Sequence, residues 1–576
     1  MNRAPRLFVV ASAIVTMVGL TFASCEGPAG PQGGAGPQVP VLVETINVYG
    51  DTEFEMDRGL SFRLVAGAYP DDATVRTLLW EIYDVASSRL ISLSDDEPSV
   101  APEAGFPMLT GNSVYVTALA GGDARILVTA MGAGAAPVNS IITVTVVDVA
   151  QQVSVLHSRN ENNDLPAVAT IYTVVPNEPI RPQLLYFGGN PITITLVART
   201  PGDVLTLESS GSMFTVGEGV ILRLGNITLR GMAGNSGGAL LAVDDGGVLY
   251  MENALSRIEG NANTAFSTGM NPNFPNQGGG VRVADGGTFN MSAGTIAGNS
   301  AAWGGGVLNL GSFNMTGGAI VGNILPPPVS GSGINPSGGG VANINGTFNM
   351  QSLDASIRAN EAVIGGGVWN NGDFNMYAGE IHGNLAREGA GINNNIGGTV
   401  NMHGEAVIHG NIASFGGGGV INISRGSAPG AAPQFPAVFN MLAGAVIRDN
   451  DAGSGGGVLN ALPGAIFNMR GGEIRNNVAA GLYTFGGVST SVGGGVENFG
   501  GRFFMSDGVI FGTDAPEFAN TAPEGAAFYA GNANGFAQVS QFGTFDDDDE
   551  FIQADPRDVL ETTDYTVRVE DGELAD

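Results

Sequence analysis

Histidine and arginine residues recur at one position of a sequence repeat in the C-terminal two-thirds of the chain. His382 and His409 occupy this position in two copies, and Arg358, Arg448 and Arg475 occupy it in three others. If the copies stack, these five side chains form a basic column on one outer face. Such a column could bind an anionic glycan, and the alternative is a row of solvated outer residues.

Acidic residues temper this interpretation. Glu380 and Glu473 lie two residues before His382 and Arg475, so they partly neutralise the column. The other acidic residues of the repeats are scattered and do not share one position: Asp285, Asp354, Asp373, Glu405, Asp449, Asp451 and Glu497. Because a glycoside hydrolase needs paired carboxylates, we assign no catalytic or metal-binding residue and predict that the chain is not an enzyme.

Insertions into the repeat are the second candidate for ligand contact, because insertions in repeat proteins often gather on the binding face. Those at 262–277, 324–337 and 478–492 are predicted to leave one corner, and that at 423–438 another. Their aromatic residues suit carbohydrate or protein contact. These residues are Phe266, Phe274, Tyr483 and Phe485. The alternative is loops folded onto their own aromatic rings.

Charge excludes several classes of function. The formal net charge is −31, and all 23 basic residues are arginines, since the sequence contains no lysine. A field of this sign repels phosphate, so we predict no nucleic-acid partner. Without lysine there is no Schiff-base chemistry. We predict no cofactor and interpret residues 546–550 as a solvated acidic loop, with a calcium site as the alternative.

The repeat itself determines where the column residues and the insertions lie. Gly-Gly-Gly-Val, as at Val307, precedes Phe-Asn-Met, as at Phe313, and an isoleucine such as Ile320 follows. The shortest periods are 24 to 26 residues, as from Met291 to Met315. Each copy holds three short strands with alternating apolar residues, which fits one coil of a three-faced parallel β-helix. We predict this solenoid over 155–515, with 516–576 as its C-terminal cap and acidic tail.

Asparagine recurs at three positions in each coil. One position lies two residues after an inward valine, so its side chain should also point inward. Its members are Asn309, Asn343, Asn370, Asn394, Asn422, Asn460 and Asn498. Stacked amides can hydrogen-bond along the solenoid axis and to backbone groups in the turns. We therefore predict a buried asparagine ladder, with polar ligand binding as the alternative.

The N-terminus reads as a targeting segment. Arg3 and Arg6 precede an apolar run from 7 to 22, so residues 1–24 are predicted to be a signal peptide. The only cysteine, Cys25, follows it, and Phe22-Ala23-Ser24-Cys25 resembles the bacterial lipoprotein signal motif. That resemblance implies lipidation of Cys25. Residues 25–40 contain four Gly-X-Y triplets and are predicted to be an extended spacer.

Residues 41–150 show short alternating runs separated by turn residues, which predicts a β-sandwich. Leu79-Trp80 and the run at 121–130 resemble the bacterial Ig-like domain of adhesins, with Trp80 as its core tryptophan. The expected fold class is therefore all-β, an Ig-like sandwich followed by a right-handed three-faced parallel β-helix.

Gly237-Gly238-Ala239-Leu240, with Asn235 before it, is similar to an element of the β-helix passengers of polymorphic outer-membrane proteins and adhesins. The fold also resembles that of pectin lyases, and the chain resembles bacterial repeat lipoproteins. These resemblances imply a surface-anchored, adhesin-like binding or scaffold module, held by lipid in the cell envelope at the outer membrane. Its expected ligand is a polysaccharide or a surface protein. The alternatives are a carbohydrate-active β-helix enzyme and a passive envelope structural protein.

Overall fold

The computed structural model describes residues 42–73, 77–95, 109–130, 136–263, 277–328, 335–424, 435–480, 484–485, 488–489, 491–531, 539–546, 549–553 and 559–575. The predicted signal peptide, Cys25 and the spacer at 25–40 lie outside them. The described chain is nearly all β, with one α-helix and one short 3-10 turn, Ser87–Arg89.

Two sheets form the N-terminal unit. Their strands are β1 (Thr45–Val48), β2 (Glu53–Asp57), β3 (Ser61–Tyr69), β4 (Leu78–Ile82), β5 (Ile91–Ser94), β6 (Leu109–Thr110), β7 (Ser113–Ala118), β8 (Gly122–Ala130) and β9 (Val138–Val147). One sheet has the order β1-β3-β7-β5 and the other β2-β9-β8-β4-β6. Alternate residues of both sheets share one apolar core. Trp80 is fully buried there, as predicted, and its Nε1 donates to the carbonyl of Gly111 at 2.8 Å.

A helix, α1 (Val149–Glu161), follows directly. Asp148 caps it by accepting a hydrogen bond from the backbone N of Gln151 at 2.8 Å. Val149, Val153 and Leu156 are buried against the first coil of the solenoid. The sequence analysis expects strands from about residue 155. The structure places a helix there, because three apolar residues at helical spacing close the end of the core.

Parallel strands then form three stacks, and each coil contributes one strand to each stack. The valine stack consists of Gln183–Leu185, Phe214–Val216, Leu241–Val243, Val281–Val283, Val307–Asn309, Val341–Asn343, Val368–Asn370, Ile392–Asn394, Val420–Ile423, Val458–Ala461, Val496–Phe499 and Phe528–Gly531. The phenylalanine stack consists of Val168–Tyr172, Ile192–Val197, Val220–Gly225, Val248–Met251, Thr288–Met291, Ser312–Met315, Thr347–Met350, Asp373–His382, Thr399–His409, Ala437–Leu442, Ala465–Arg475, Arg502–Ile510 and Val539–Phe542.

The isoleucine stack consists of Glu178–Ile180, Val204–Leu207, Thr228–Arg230, Arg257–Glu259, Thr295–Ala297, Gly318–Val321, Ala355–Arg358 and Val446–Arg448, together with the second halves of the four long strands that end at His382, His409, Arg475 and Ile510. These stacks fit a β-helix solenoid, and the coarse fold prediction is confirmed. Neighbouring coils pair in register over the repeat motif, with local shifts between Met376 and Ala378 and between Met469 and Glu473, so equivalent residues form columns.

The solenoid core contains the predicted apolar columns. Phe313, Phe348 and Phe374 are fully buried, and their rings stack at centroid distances of 4.7 and 4.5 Å. The repeat predicts these positions correctly because the period of two in each strand places alternate residues inside. In-register stacking then brings identical rings within van der Waals contact along the axis.

Three asparagine ladders run along the solenoid. The predicted ladder, which includes Asn309, Asn343 and Asn370, is fully buried, and each Nδ2 donates to the Oδ1 of the next coil at 2.7 to 2.9 Å. A second buried ladder follows the isoleucine stack. It consists of Asn235, Asn261, Asn299, Asn323, Asn360, Asn384, Asn411, Asn450, Asn477 and Asn520. The third ladder is the half-buried asparagine of Phe-Asn-Met.

Glycine is required where the coils meet before the valine stack. A Cβ on Gly306 would lie 2.6 Å from the carbonyl oxygen of Gly340 in the next coil. The Gly-Gly-Gly segments therefore stack backbone against backbone, with Val307 N donating to Gly340 O at 2.9 Å. The preceding Gly304 has a φ of +61°, which favours glycine.

Parallel strands continue past residue 515 to Phe528–Gly531 and Val539–Phe542, so the solenoid extends further than expected. The repeat does not predict this coil, because Gly525-Ala526-Ala527-Phe528 stands where the other coils have Gly-Gly-Gly-Val. Beyond it, Val567–Glu570 pairs antiparallel with Arg502–Ile510, and buried Leu560 and Val569 join the core. A capping role for the last part of the tail stays a prediction.

Short strands complete the description. A parallel corner sheet contains Leu385–Glu388, Ile412–Gly416, Asp451–Ser454 and Val478–Ala479. The two-stranded pairs are Ala233–Asn235 with Ala262–Asn263, Thr484–Phe485 with Val488–Ser489, and Thr544–Phe545 with Phe551–Ile552, and Glu573–Leu574 pairs with Val567–Glu570. Within the described residues, no helix has the length and apolarity needed to cross a membrane.

Candidate functional site

The predicted basic column exists as a continuous row on the outside of the isoleucine stack. Arg358 pairs in register with His382, His382 with His409, His409 with Arg448, and Arg448 with Arg475. We call these five residues the Arg/His column. Neighbouring members are separated by about 4.8 Å, the spacing of paired strands, so the column is about 19 Å long.

The strands hold these side chains outward. Each member directly follows a fully buried isoleucine, as Arg358 follows Ile357 and His382 follows Ile381. Alternation along the strand therefore directs the next side chain away from the core. Arg358 is exposed, and the other four members are partly buried.

Ion pairs at the column are uneven. Arg475 Nε lies 3.1 Å from Glu473 Oε2, and Arg448 pairs with its neighbour Asp449. Among the residues that the structure describes, Arg358 makes no ion pair within 4.0 Å. The column therefore has one unpaired guanidinium at its N-terminal end and two that share their charge with carboxylates.

The two histidines form the centre of the column. Their rings stack in parallel, with centroids 4.8 Å apart and planes at 4°. Burial lowers the pKa of His382. Burial also lowers the pKa of His409, and the nearby Arg448 guanidinium and His382 lower it further. Because both rings favour the neutral form near neutral pH, the arginines supply the positive charge there.

Glu380 faces both rings. Its Oε2 lies 4.0 Å from His382 Nε2 and 3.8 Å from His409 Nε2, both beyond hydrogen-bond distance. Within the part of the chain that the structure describes, the buried His409 Nε2 has no hydrogen-bond partner. One carboxylate oxygen of Glu380 and one ring nitrogen each of His382 and His409 lie within 4.8 Å of one another. From the sequence, Glu380 is only a neutralising charge near His382, because its cross-strand approach to His409 depends on the register of the coils.

The aromatic side chains predicted to contact a ligand in the insertions fall outside the described part of the chain. Phe266, Phe274 and Tyr483 lie outside the described residues, as does the side chain of Phe485. The described flanks nevertheless show where three insertions leave the solenoid. Residues 263 and 277, 328 and 335, and 480 and 491 all lie between the isoleucine and valine stacks. Contact of these aromatic residues with a ligand stays a prediction.

Two tryptophans that the sequence analysis does not single out lie outside the valine stack. Trp303 and Trp369 are nearly fully buried and make an edge-to-face contact at 5.1 Å. They pack with Leu308 and Ala342 in a separate apolar cluster. Leu308, Ala342 and Trp369 are the middle residues of Val-x-Asn, which alternation directs outward. They are nevertheless buried, because they pack in one cluster with Ala302, Trp303 and Ile344, which lie outside the valine-stack strands.

Glu497 occupies the same middle position and is only 6% exposed. Ser454 donates a hydrogen bond to its Oε2. Burial raises the pKa of Glu497 to about 7. Glu497 is one of the scattered acidic residues of the repeats, and alternation along its strand alone would place it on the outside.

Other acidic groups serve structural contacts. Asn450, between Asp449 and Asp451, is fully buried in the second ladder, and its backbone N donates to Asn477 Oδ1 at 3.0 Å. In the acidic loop, Asp546 Oδ1 accepts from the backbone N of Glu550 at 2.8 Å, and Asp549 Oδ1 lies 2.7 Å from Arg470 Nη1. Residues 547–548 lie outside the described chain.

The architecture defines a solenoid protein whose parallel strand stacks fit a β-helix. No family model, no curated protein and no solved structure matches the chain. The function must therefore be inferred from the side chains themselves, since one fold can carry many functions.

Proposed function

We propose that this chain is a surface-anchored, adhesin-like binding module that holds an anionic polysaccharide along the Arg/His column. The observation that carries the proposal is the in-register row from Arg358 to Arg475. It is regular and about 19 Å long, which suits an extended polymer with repeated negative groups better than a compact ligand. Arginine suits carboxylate and sulfate groups because its guanidinium can form paired hydrogen bonds.

The existing ion pairs do not prevent this role. The side chains of Arg448 and Arg475 remain 29% and 25% exposed while paired with Asp449 and Glu473. Surface ion pairs contribute only about 0 to 1 kcal/mol, so a polymer carboxylate can replace the protein carboxylate at little cost. Arg358 makes no ion pair with any described residue, so it is the first contact we expect.

The net charge of −31 opposes an anionic ligand at long range. Salt screens that repulsion beyond about 8 Å at physiological ionic strength, whereas guanidinium contacts act at hydrogen-bond distance. We therefore expect modest affinity from each module, and several modules held on one surface would strengthen attachment through multivalency.

The proposal includes the envelope location. Lipidation of Cys25 would anchor the chain, and residues 25–40 would hold the folded units away from the membrane. The two-sheet N-terminal unit would be an Ig-like spacer domain, and its buried Trp80 supports that comparison. A right-handed solenoid is expected because crossovers between parallel strands are right-handed in nearly all proteins.

Binding of the full-length protein to immobilised polygalacturonate, with neutral dextran as a reference, tests the proposal. The triple variant Arg358→Gln/Arg448→Gln/Arg475→Gln should lose most of the binding. The matched control is Arg223→Gln/Arg230→Gln/Arg257→Gln, which removes the same charge from arginines paired with Glu252 and Glu259. This control should bind like the unchanged protein.

Equal loss in both triple variants would show a nonspecific charge effect and overturn the column as the site. Binding that instead disappears in Tyr483→Ala/Phe485→Ala would move the site to the insertions. Release of shortened or unsaturated products would replace the binding proposal with a carbohydrate-active enzyme. Absence of any polysaccharide binding would favour a passive envelope structural protein.

A further inference from the structure

We propose that Glu380, His382 and His409 form a binding site for a transition-metal ion, with Zn²⁺ as the best match. The site goes beyond polysaccharide binding and does not depend on it. Two imidazoles and one carboxylate are a ligand set that zinc accepts, with a fourth position left to solvent. Imidazole nitrogen favours zinc, copper or nickel over calcium and magnesium, which prefer oxygen.

The first argument is geometric. His382 and His409 are direct neighbours on paired parallel strands, so their rings emerge from the same face one strand spacing apart. Glu380 lies two residues before His382 and therefore points to the same side. Together the three residues place two nitrogens and one oxygen within 4.8 Å of one another.

The second argument is an unsatisfied ligand atom. His409 Nε2 is buried and has no hydrogen-bond partner among the described residues, and Glu380 Oε2 lies 3.8 Å away. Buried polar nitrogen atoms normally have a partner, and an ion between these two atoms would supply one. Zinc bonds of 2.0 to 2.2 Å place tetrahedral ligand atoms about 3.3 Å apart. Glu380 Oε2 must therefore approach His382 Nε2 by roughly 0.7 Å and His409 Nε2 by roughly 0.5 Å, and the rings must tilt towards each other.

The surrounding charges permit the ion. Arg358 and Arg448 flank the histidines in the column, but Arg448 is paired with Asp449, and Glu380 adds one further negative charge. Two cations and two anions therefore surround the site. The Glu380 side chain is 46% exposed, so solvent can reach the open coordination position. A carboxylate from outside, guided by Arg358, could occupy that position.

Titration of the full-length protein with Co²⁺, followed by its visible absorption, tests the site, with Zn²⁺ as competitor. One equivalent of Co²⁺ should bind and be displaced by Zn²⁺. His382→Gln and His409→Gln should each weaken binding by about tenfold or more, since even the loss of an outer-shell partner has effects of about that size. Glu380→Gln should weaken it as well.

The chain provides two matched controls. His403 stacks on Tyr377 at 4.6 Å, away from the site, and His157 packs on Phe187 at 4.7 Å. His403→Gln and His157→Gln should leave Co²⁺ binding unchanged. Loss of binding in these controls but not in His409→Gln would overturn the proposal, as would absence of saturable binding at micromolar metal.

A second measurement avoids variants altogether, in case a substitution disturbs folding. Zinc-edge X-ray absorption of the unchanged protein with one equivalent of Zn²⁺ should show two imidazole nitrogens and one carboxylate oxygen. A first shell made only of oxygen atoms would contradict the site. Neither measurement contains polysaccharide, so failure here leaves the proposed polymer binding unaffected, and failure of polymer binding leaves the metal site unaffected.

Discussion

Asn360 donates through its Nδ2 to Oδ1 of Asn384 in the following coil at 3.0 Å, and both residues are fully buried. The same Nδ2 donates to the carbonyl of Ile320 at 3.0 Å. Asn360 Oδ1 in turn accepts from the backbone N of Asn323 at 3.0 Å. One amide therefore satisfies groups in the coils before and after it, which makes the ladder a structural element and not a ligand site.

Asn360→Ala should lower the free energy of unfolding by about 3 kcal/mol, because it leaves the buried Asn323 N–H and neighbouring groups without partners. The matched control is Asn349→Ala in the half-buried ladder of the same coil, where water can replace the lost contacts. We expect about 1 kcal/mol there. Denaturant unfolding of both variants measures the difference. Equal effects would contradict the distinction between buried and half-buried ladders.

Gly306→Ala should destabilise the solenoid by about 3 kcal/mol, because the new Cβ would lie 2.6 Å from both Gly340 O and Ile320 Cγ2. Gly322→Ala in the same coil is the control. Gly322 has a φ of +64° and open space around its Cβ direction, so only the backbone penalty of about 1 kcal/mol applies. In thermal unfolding, the melting temperature of Gly306→Ala should be well below that of Gly322→Ala. The reverse order would show that the backbone at this corner can move to accommodate a Cβ at Gly306 with little loss of stability.

Phe348→Ala should lower the free energy of unfolding by about 3 to 5 kcal/mol, since it opens a cavity between the rings of Phe313 and Phe374. Phe348→Val should cost less, because Val400 already occupies an equivalent position two coils later. Denaturation midpoints of the two variants test this order. If Phe348→Ala left the free energy of unfolding unchanged, packing of the phenylalanine rings would not contribute to stability.

The contribution of Glu497 to stability should fall as pH rises from about 4.5 to about 7, because burial raises its pKa from 4.5 to about 7. In this window the unfolded chain releases the proton and the folded chain keeps it, so the contribution is complete below pH 4.5 and lost through pH 7. The full loss is about 3 kcal/mol. Glu497→Gln should flatten the decline in melting temperature between pH 5 and pH 8.

Glu405→Gln is the control for this measurement, since Glu405 is exposed and should leave the pH profile of stability nearly unchanged. If Glu497→Gln also leaves the profile unchanged, Glu497 is not the group that titrates. A steeper decline with pH in Glu497→Gln than in the unchanged protein would contradict the direction of the shift.

The repeat predicts much of this protein from its sequence. Residues with a period of two must alternate between core and surface, and a copy of constant length must return to the same point of each coil. Phe348, Asn370 and Ile381 are therefore assigned inward, and Arg358 and His382 to one outer column, before any coordinates are known. The coarse β-helix fold follows from the same reasoning.

Tertiary structure decided the rest, because it depends on which chain segments approach from outside the repeat. Glu497 and Trp369 share an outward strand position, yet packing over the valine stack buries both. The helix Val149–Glu161 closes the core with residues that belong to no repeat. Glu380 meets His409 only because neighbouring coils stack in register about 4.8 Å apart, a contact between residues 29 positions apart in sequence that no local pattern contains.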